Sequence, residues 1–462
     1  MNNCTIIIIG ITGDLARRKL IPALYKLIVL GKLDSFVLVG AALQDTTIEQ
    51  ILEGAQQYIH TIDPAAWSLL CRSSCYMQID ALRASDFTLL CDTVDDLERT
   101  FNISGNRIVY CSTSSDLFCP ITQHAVQSGL IQRGVKHPWH RIVYEKPFGH
   151  DLQSAHEVNQ CISRLLDEDQ IYRIDHYLTE ELVSNIAMVR FTNCVFEPLW
   201  NNCYISQVQI VLNEKLCVGS RGAYYDAYGA LKDMLQNHML ELLALIGMEA
   251  PKELVGEQIR EERAKVLKQV RVVDGLRAQY EGYRDEPHIN PHSETETFAI
   301  AQLMIDNPRW SGVPFFLKTG KCLDKKDTAI YIQFKKVDCI LTHQCPTEPN
   351  FLTIQVTPNP SFFLTLNVKK SGFVQEAVPV RMEFCHSCVF KDHGAESYEV
   401  IFDQVMRGEH SVSVRFDEIE YAWKIVDTLN AMHIPLYHYK RGSKGPAEVE
   451  EFELKHGMRW RS

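Results

Sequence analysis

The stretch TIIIIGITGDL, residues 5–15, decides the fold of the N-terminal half. Its β-branched run is suited to a strand that is covered on both faces. Apolar residues at helical spacing follow between Lys19 and Leu30. A strand, a glycine turn and a helix in this order can hold a pyrophosphate on the free N–H groups of the helix N-terminus. Only two of the usual three glycines are present, so the turn alone also fits a plain tight turn.

A second apolar run at 36–40 completes a βαβ unit. The end of this strand usually decides which adenosine ribose is accepted, and residues 40–45 contain no arginine for a 2′-phosphate. Asp45 either accepts ribose hydroxyls, as in NAD-binding proteins, or caps the next helix. The sequence leaves both readings open.

Two further buried strands are predicted at 107–110 and 141–144, with helical segments between them and after Asp151. The second of these strands runs into Lys146 and Pro147. A lysine at the carboxyl end of a parallel strand faces the ligand crevice, and the proline is a candidate for a cis peptide bond. The alternative is a solvated lysine before a turn.

The pattern changes after residue 180, where apolar residues alternate with polar ones around 208–212, 352–356, 362–368 and 380–384. Such alternation predicts an antiparallel sheet with one covered face. A strongly helical stretch is predicted over 231–248. The fold class is therefore α/β plus α+β: a Rossmann-like dinucleotide-binding domain, residues 1–175, followed by a large antiparallel-sheet β+α domain, residues 176–462.

The composition excludes several functions. A net charge of −11 argues against a nucleic-acid surface, and no apolar run approaches the roughly 20 residues that span a bilayer. The 15 cysteines predict reduced thiols in a cytoplasm instead of a disulfide framework. Cys385 and Cys388, with His343 and Cys345 upstream, have metal-like spacing but lack a second paired half, so no metal site is predicted.

Two groups of polar residues are candidates for a catalytic or ligand-binding role. RIDHYL, residues 173–178, places Asp175 and His176 at the predicted domain boundary, where binding sites tend to form. The predicted helix carries Asp233 and His238, which are five residues apart and would differ in direction by about 140° on an α-helix. A lone histidine on such a helix is more often structural, but paired with Asp175 it is a candidate general base.

Seven motifs in order resemble the glucose-6-phosphate dehydrogenase family over nearly the whole chain. They are GITGDLARRKL (10–20), EKPFG (145–149), RIDHYL (173–178), RGAYYDAYGALKDMLQNH (221–238), SETETFA (293–299), RWSGVPFFLKTGK (309–321) and YKRGSKGP (439–446). The family fold, a dinucleotide-binding domain followed by a large antiparallel sheet with helices, agrees with the pattern described above. The resemblance implies that the second domain, residues 176–462, serves substrate binding and oligomerisation.

The resemblance implies that glucose 6-phosphate is oxidised at C1 to a lactone, with hydride transfer to NADP. His238 matches the family's general base and Asp175 the carboxylate that orients it. The positions that match substrate-binding residues are His176, Tyr177, Lys146, Glu214, Asp233, Lys321 and Lys326. The positions that match the cofactor site are Gly10, Thr12, Gly13, Asp14, Leu15, Arg17 and again Lys146.

Three departures from the family pattern bear on its ligands. Thr179 and Glu180 replace a glycine and the phosphate-binding lysine, and a carboxylate repels a phosphate. Leu43 replaces the arginine that reads the 2′-phosphate, so NAD is a second candidate cofactor. Ser114 and Ser115 replace two prolines beside the cofactor.

The alternatives are an NAD-linked dehydrogenase of another sugar or sugar phosphate, and a degenerate homologue that binds a nucleotide without turnover. The expected partners are a small-molecule sugar phosphate and further copies of the chain, because the family forms homodimers or homotetramers. Neither a nucleic acid nor a membrane is expected as a partner, and the expected location is cytoplasmic.

Overall fold

The computed structural model describes residues 3–338, 347–372, 376–385 and 396–461, and the chain forms two compact units. The first unit combines Met1–Thr179, Glu253–Arg260 and Ala395–Phe416. The second unit combines Glu180–Lys252, Glu261–Gly394 and Asp417–Ser462. Each unit therefore draws on three stretches of chain that are distant in sequence. The domain boundary after residue 175 stays a prediction from the linear sequence.

The first unit contains a six-stranded parallel sheet in the order β3-β2-β1-β4-β5-β6. This is the doubly wound order of dinucleotide-binding domains, in which the strand order reverses between β1 and β4. The predicted Rossmann-like sheet is confirmed. Its strands are β1 (Asn3–Ile9), β2 (Ser35–Ala42), β3 (Ser74–Gln78), β4 (Arg107–Cys111), β5 (His140–Tyr144) and β6 (Ile171–Arg173).

Helices cover both faces of this sheet, as the run of isoleucines predicts. In β1, Ile6 and Ile8 belong to one apolar core, whereas Ile7 and Ile9 belong to the core on the other face. The helices are α1 (Ile21–Val29), α2 (Ile48–Gln56), α3 (Pro64–Arg72), α4 (Ala84–Phe101), α5 (Phe118–Gln127) and α6 (Leu152–Leu165), and the π-helical segment Ala16–Leu20 leads into α1.

A late stretch of chain completes the first unit. Helix α11 (Ser397–Arg407) packs Ile401, Phe402 and Val405 into the same core as Ile6. A β-bridge joins Ile174, directly after β6, to Ser413. The Val414 amide also donates to the Arg173 carbonyl over 2.8 Å, so this end of the edge strand already has partners within the chain.

The second unit contains a nine-stranded sheet in the order β14-β13-β12-β11-β7-β10-β9-β8-β15. Most neighbours are antiparallel, as predicted, but β7 with β10 and β8 with β15 are parallel pairs. The strands are β7 (Ile205–Asn213), β8 (Val270–Tyr280), β9 (Phe298–Ile305), β10 (Pro314–Gly320), β11 (Asp327–Phe334), β12 (Phe351–Thr357), β13 (Ser361–Lys369), β14 (Ala377–Cys385) and β15 (Leu436–Tyr439).

The predicted helical stretch 231–248 begins as a π-helix, Leu231–Met239, and continues as α9 (Leu240–Gly247). The other helices with residues in this unit are α7 (Glu181–Thr192), α8 (Gly222–Ala230), α10 (Gly256–Lys268), α12 (Phe416–Ala431) and α13 (Glu448–His456). Short 3-10 turns occur at Ser115–Leu117, Glu168–Gln170, His176–Thr179, Glu197–Leu199, Gly219–Arg221 and Tyr283–Asp285. No helix within the described ranges is both long and apolar enough to cross a bilayer.

The expectation of reduced thiols is wrong for two cysteine pairs. Cys119 and Cys161 form a disulfide in the first unit, and Cys217 and Cys322 form one in the second. Their sequence separations are 42 and 105 residues. The pairing depends on long-range contacts, which cysteine counting cannot reveal.

The turn after β1 requires glycine, which leads to a stability prediction. Gly10 has φ +88°, and a Cβ at this position would lie 2.4 Å from the carbonyl oxygen of Ser112. Gly31 has φ +64° with no atom within 4 Å of its Cβ position. Gly31→Ala therefore adds only backbone strain, roughly 1 kcal/mol, whereas Gly10→Ala adds a clash and costs about 3 kcal/mol or more.

Thermal denaturation of the two variants measures this difference. We expect the midpoint of Gly10→Ala to fall several degrees below that of Gly31→Ala. Equal midpoints for the two variants would contradict the close approach of Gly10 to Ser112.

Candidate active site

The predicted cofactor loop forms a tight turn at the carboxyl end of β1. The Gly13 amide donates to the Gly10 carbonyl over 3.0 Å, and the Arg17 amide donates to the Gly13 carbonyl over 3.2 Å. The turn lies where the strand order reverses, which is the ligand position of doubly wound sheets. Glycine at position 10 allows the turn to pass close to the backbone of Ser112, which follows the neighbouring strand β4.

Charged side chains surround this turn. Asp14 is exposed and forms ion pairs with Arg17 at 3.0 Å and Arg18 at 2.8 Å. Leu15 is half-buried beside them. The two guanidinium groups are therefore held next to the loop by a carboxylate from the loop itself.

The end of β2 has no cationic side chain at the predicted ribose position. Leu43 is 64% exposed, and Gln44 and Asp45 are also exposed. The Thr12 hydroxyl donates to the Gln44 side-chain oxygen over 2.7 Å. Helix α2 is capped by Thr47 in a capping box, so the alternative reading of Asp45 as the helix cap is wrong.

The two serines that replace prolines lie after β4. Ser114 has φ −66°, the value that a proline ring imposes, and its carbonyl accepts from the Leu117 amide over 3.1 Å. Ser115 is buried at the start of the 3-10 turn. The backbone at Ser114 is thus compatible with the family pattern without the ring.

Lys146 follows β5 and is half-buried, and its peptide bond to Pro147 is cis, as predicted. The preceding residue, Glu145, is buried and accepts from the Tyr110 hydroxyl. Burial raises the pKa of Glu145 to about 7, although hydrogen bonds from Tyr110 and Tyr398 and the charge of Lys146 act against that rise. The sequence reasoning missed this buried carboxyl group and its two tyrosines.

Asp175 organises the short turn that follows β6. Its side chain is 2% exposed, and its Oδ1 accepts from the Tyr177 amide over 2.9 Å. His176 and Tyr177 are half-buried, and their rings lie 5.0 Å apart. Thr179 is buried and donates its hydroxyl to the His176 carbonyl over 2.6 Å. The threonine that replaces glycine therefore stabilises the turn.

In the second unit, His238 is 1% exposed and lies on the π-helix. The predicted separation of about 140° between Asp233 and His238 is wrong, because that figure assumes an α-helix. A π-helix bonds residue i to residue i+5, so residues five apart lie one turn apart. The sequence pattern gave no sign of this change in winding.

A buried carboxylate caps the N-terminus of this π-helix. Glu296, from the motif SETETFA, accepts from the Leu231 amide over 3.0 Å, and its backbone carbonyl accepts from the Ala230 amide over 3.0 Å. Gly229 has φ +66°, and a Cβ there would lie 2.4 Å from the Glu296 carboxylate. The motif thus acts by holding the helix that carries His238.

Three predicted substrate residues come together in the second unit. Lys321 is 7% exposed and forms an ion pair with Glu214, and its Nζ lies 3.9 Å from Oδ2 of Asp233. We call Lys321, Glu214 and Asp233 the carboxylate–lysine cluster. Lys326 is exposed and lines a cavity of about 410 Å³ together with Arg381 and Arg461.

The disulfide Cys217–Cys322 joins the two loops that carry Glu214 and Lys321 of this cluster. The Glu214 amide donates to the Gly320 carbonyl over 2.8 Å, and the Cys322 amide donates to the Leu216 carbonyl over 3.0 Å. The loops after β7 and β10 are therefore held together by backbone hydrogen bonds as well as by the disulfide.

Most residues of the metal-like cysteine and histidine pattern lie outside the part of the chain that the structure describes. His343, Cys345, His386 and Cys388 lie in the segments 339–346 and 386–395, outside the described residues.

Two family models match consecutive stretches that together cover almost the whole chain. The model described as glucose-6-phosphate dehydrogenase, NAD binding domain, matches residues 7–185. The model described as glucose-6-phosphate dehydrogenase, C-terminal domain, matches residues 187–461.

Curated relatives match over nearly their full lengths. Glucose-6-phosphate 1-dehydrogenase of Chlamydia muridarum is 36% identical, covering 99% of this chain and 97% of the relative. The Bacillus subtilis protein of the same name is 35% identical, covering 98% and 97%. The cytoplasmic glucose-6-phosphate 1-dehydrogenase 5 of Arabidopsis thaliana is 35% identical, covering 98% and 91%.

Solved structures agree with these relatives. A glucose-6-phosphate dehydrogenase in complex with its substrate glucose 6-phosphate superposes with a TM-score of 0.92 at 29% identity, covering 100% of this chain and 99% of that one. Glucose-6-phosphate 1-dehydrogenase from Mycobacterium avium gives 0.87 at 31% identity, covering 100% and 99%. Because family models match almost every residue, this chain belongs to the glucose-6-phosphate dehydrogenase family.

Proposed function

We propose that this protein oxidises glucose 6-phosphate at C1 to 6-phosphoglucono-lactone, with a nicotinamide dinucleotide as hydride acceptor. This reaction is the entry to the pentose phosphate pathway. The observation that carries the proposal is the carboxylate–lysine cluster, which provides acceptors for sugar hydroxyls beside a fixed cation. The names of the relatives and the substrate complex of a structural neighbour support the choice of sugar phosphate.

The proton is transferred by His238 with Asp175, and the hydride is accepted by the cofactor. His238 acts as the general base that takes the proton from the C1 hydroxyl, and Asp175 orients its imidazole and stabilises the charged form. Burial of both side chains supports this assignment, because a buried imidazole is shielded from exchange with bulk water. The nicotinamide C4 supplies the hydride acceptor when the cofactor is bound.

The substrate contacts follow from charge and hydrogen-bonding capacity. Glu214 and Asp233 accept hydrogen bonds from sugar hydroxyls, and Lys321 holds the two carboxylates in place. His176 and Tyr177 bind the phosphate group, and Lys146 positions both sugar and cofactor. Lys326 adds a second basic group for the sugar phosphate.

The loop after β1 suits a dinucleotide, because a tight glycine turn at the carboxyl end of β1 leads into the helical segment that begins at Ala16. We assign the cofactor contacts of this loop to Gly10, Thr12, Gly13, Asp14, Leu15 and Arg17.

We propose NADP as the principal cofactor, in line with the family, and NAD as a second acceptor. The exposed Leu43 supports the acceptance of NAD, because it provides no charge for a 2′-phosphate. Asp45 supports it further, because an exposed carboxylate can accept from ribose hydroxyls but repels a phosphate.

Glu180 favours two other candidate functions: an NAD-linked dehydrogenase of another sugar or sugar phosphate, and a homologue that binds a nucleotide without turnover. It places a carboxylate where the family has its phosphate-binding lysine. The presence of Asp175, His238, Lys146 and Lys321 favours the catalytic reading.

We propose a homodimer or homotetramer on the basis of the family, and a cytoplasmic location. The name of the cytoplasmic Arabidopsis relative supports the location.

A substrate panel with a matched variant tests the activity. We expect the wild-type protein to reduce NADP or NAD with glucose 6-phosphate, and His238→Asn to lose about 10³-fold in kcat because the general base is gone. Cofactor binding, followed by nucleotide fluorescence quenching, should be retained. Turnover with another sugar but not with glucose 6-phosphate would show that the proposed substrate is wrong. No turnover with any sugar would support the hypothesis of a non-catalytic homologue.

Glu180→Lys tests the phosphate site. Replacing a negative charge by a positive one should lower KM for glucose 6-phosphate about tenfold, since the charge of the phosphate is then attracted and no longer repelled. Glu180→Gln, which removes the charge without adding one, should give an intermediate KM. An unchanged KM in both variants would show that Glu180 does not face the phosphate.

Leu43→Arg tests the cofactor site. The new guanidinium should raise kcat/KM for NADP about tenfold relative to NAD, the size of one charge-assisted hydrogen bond. Leu43→Met, which keeps an apolar side chain, serves as the control. If the NADP-to-NAD ratio stays constant in Leu43→Arg, another residue reads the ribose.

A further inference from the structure

A tyrosine that the family resemblance does not assign contacts the carboxylate–lysine cluster. Tyr224, at the start of α8, donates its hydroxyl to Oδ1 of Asp233 over 3.3 Å. The other carboxylate oxygen of Asp233, Oδ2, is the one that lies 3.9 Å from Lys321. The two oxygens of this carboxylate therefore face two different partners, a neutral donor and a cation.

The ring of Tyr224 is itself held in place. It stacks on Tyr228, with ring centroids 4.7 Å apart and planes inclined by 22°. The Arg221 guanidinium lies over its face, 5.0 Å from the centroid. Ring contacts of this kind restrict the two torsion angles of a tyrosine, so the position of its hydroxyl oxygen relative to Asp233 is restricted too.

Tyr224 keeps its proton at every working pH. Burial and the charge of Asp233 raise the pKa of Tyr224 far above its ordinary value. The phenol is therefore always a donor toward Asp233 and never a competing negative charge beside it.

A hydrogen bond from a fixed ring restricts the rotation of this carboxylate more closely than an ion pair does. Asp233 is 3% exposed, and Lys321 also pairs with Glu214, so the cation is shared by two acids. An ammonium attracts either oxygen of a carboxylate from many directions, whereas a hydroxyl from a rigid ring selects one.

We infer that Tyr224 is a positioning residue for sugar recognition, which acts by fixing the rotation of the Asp233 carboxylate. This inference rests on the proposed function, in which Asp233 accepts from a sugar hydroxyl. Tyr224 sets the direction of the acceptor lone pairs and thereby the affinity for the sugar, while the proton transfer at C1 is left to His238.

Calorimetric titration with glucose 6-phosphate, without cofactor, tests the inference. We expect Tyr224→Phe to weaken the Kd about tenfold, the effect of losing one hydrogen bond to a charged group. KM for the sugar should rise by a similar factor, while kcat and KM for the nucleotide stay within about twofold of wild type. A contact that the sugar makes equally in the ground state and in the transition state contributes to KM and not to kcat.

Tyr225→Phe is the matched control. The Tyr225 hydroxyl is buried one residue away on the same helix, with no hydrogen-bond partner among the described residues. Its removal should leave the Kd unchanged, and the thermal midpoints of both variants should match wild type within a few degrees.

A double-mutant cycle with Asp233→Asn separates positioning from a general loss of structure. If Tyr224 acts through Asp233, adding Tyr224→Phe to Asp233→Asn weakens the Kd no further. The same tenfold loss on both backgrounds would overturn the inference, as would an unchanged Kd in Tyr224→Phe alone. If Asp233→Asn leaves the Kd unchanged, or wild type does not bind the sugar phosphate, the proposed function fails and the inference with it.

Discussion

The arrangement of the carboxylate–lysine cluster in the second unit depends on the burial of one ammonium group, that of Lys321. A buried cation needs anionic partners, because the transfer of an isolated charge from water into the protein interior costs several kcal/mol of free energy. Glu214 and Asp233 provide this compensation. Sheet topology brings Glu214 close to Lys321, because β7 and β10 are parallel neighbours and the loops that follow them leave the sheet at the same edge.

The first unit also contains a buried ionisable group that is stabilised by polar partners at the end of a parallel strand. Tyr110 lies near the end of β4, and Glu145 directly follows the neighbouring parallel strand β5. Parallel strands bring their carboxyl ends together, which is where ligands bind in doubly wound sheets. A buried carboxyl group there, with its pKa raised to about 7 by burial, is tolerable only because hydroxyl groups donate to it.

The departures from the family pattern differ in their structural consequences. Thr179 and Ser114 are accommodated by the local backbone, one through a hydrogen bond inside the turn and the other through a proline-like φ. Leu43 changes only what the end of β2 offers to a ligand, because its side chain is exposed. The local backbone thus accommodates these departures from the family pattern.

The sequence alone determined the parallel sheet, the alternating strands of the second sheet and the candidate residues, because period-two and period-3.6 patterns and local motifs are written in neighbouring residues. Only the tertiary structure decided the rest. The return of α11 to the first unit, the contact of Tyr398 with Glu145, the disulfides and the Tyr224–Asp233 hydrogen bond all join partners through the folded backbone. The π-helical winding around His238 belongs with them, because a one-residue change in hydrogen-bond pattern leaves no periodic signal in the sequence and is stabilised by what packs and caps the helix.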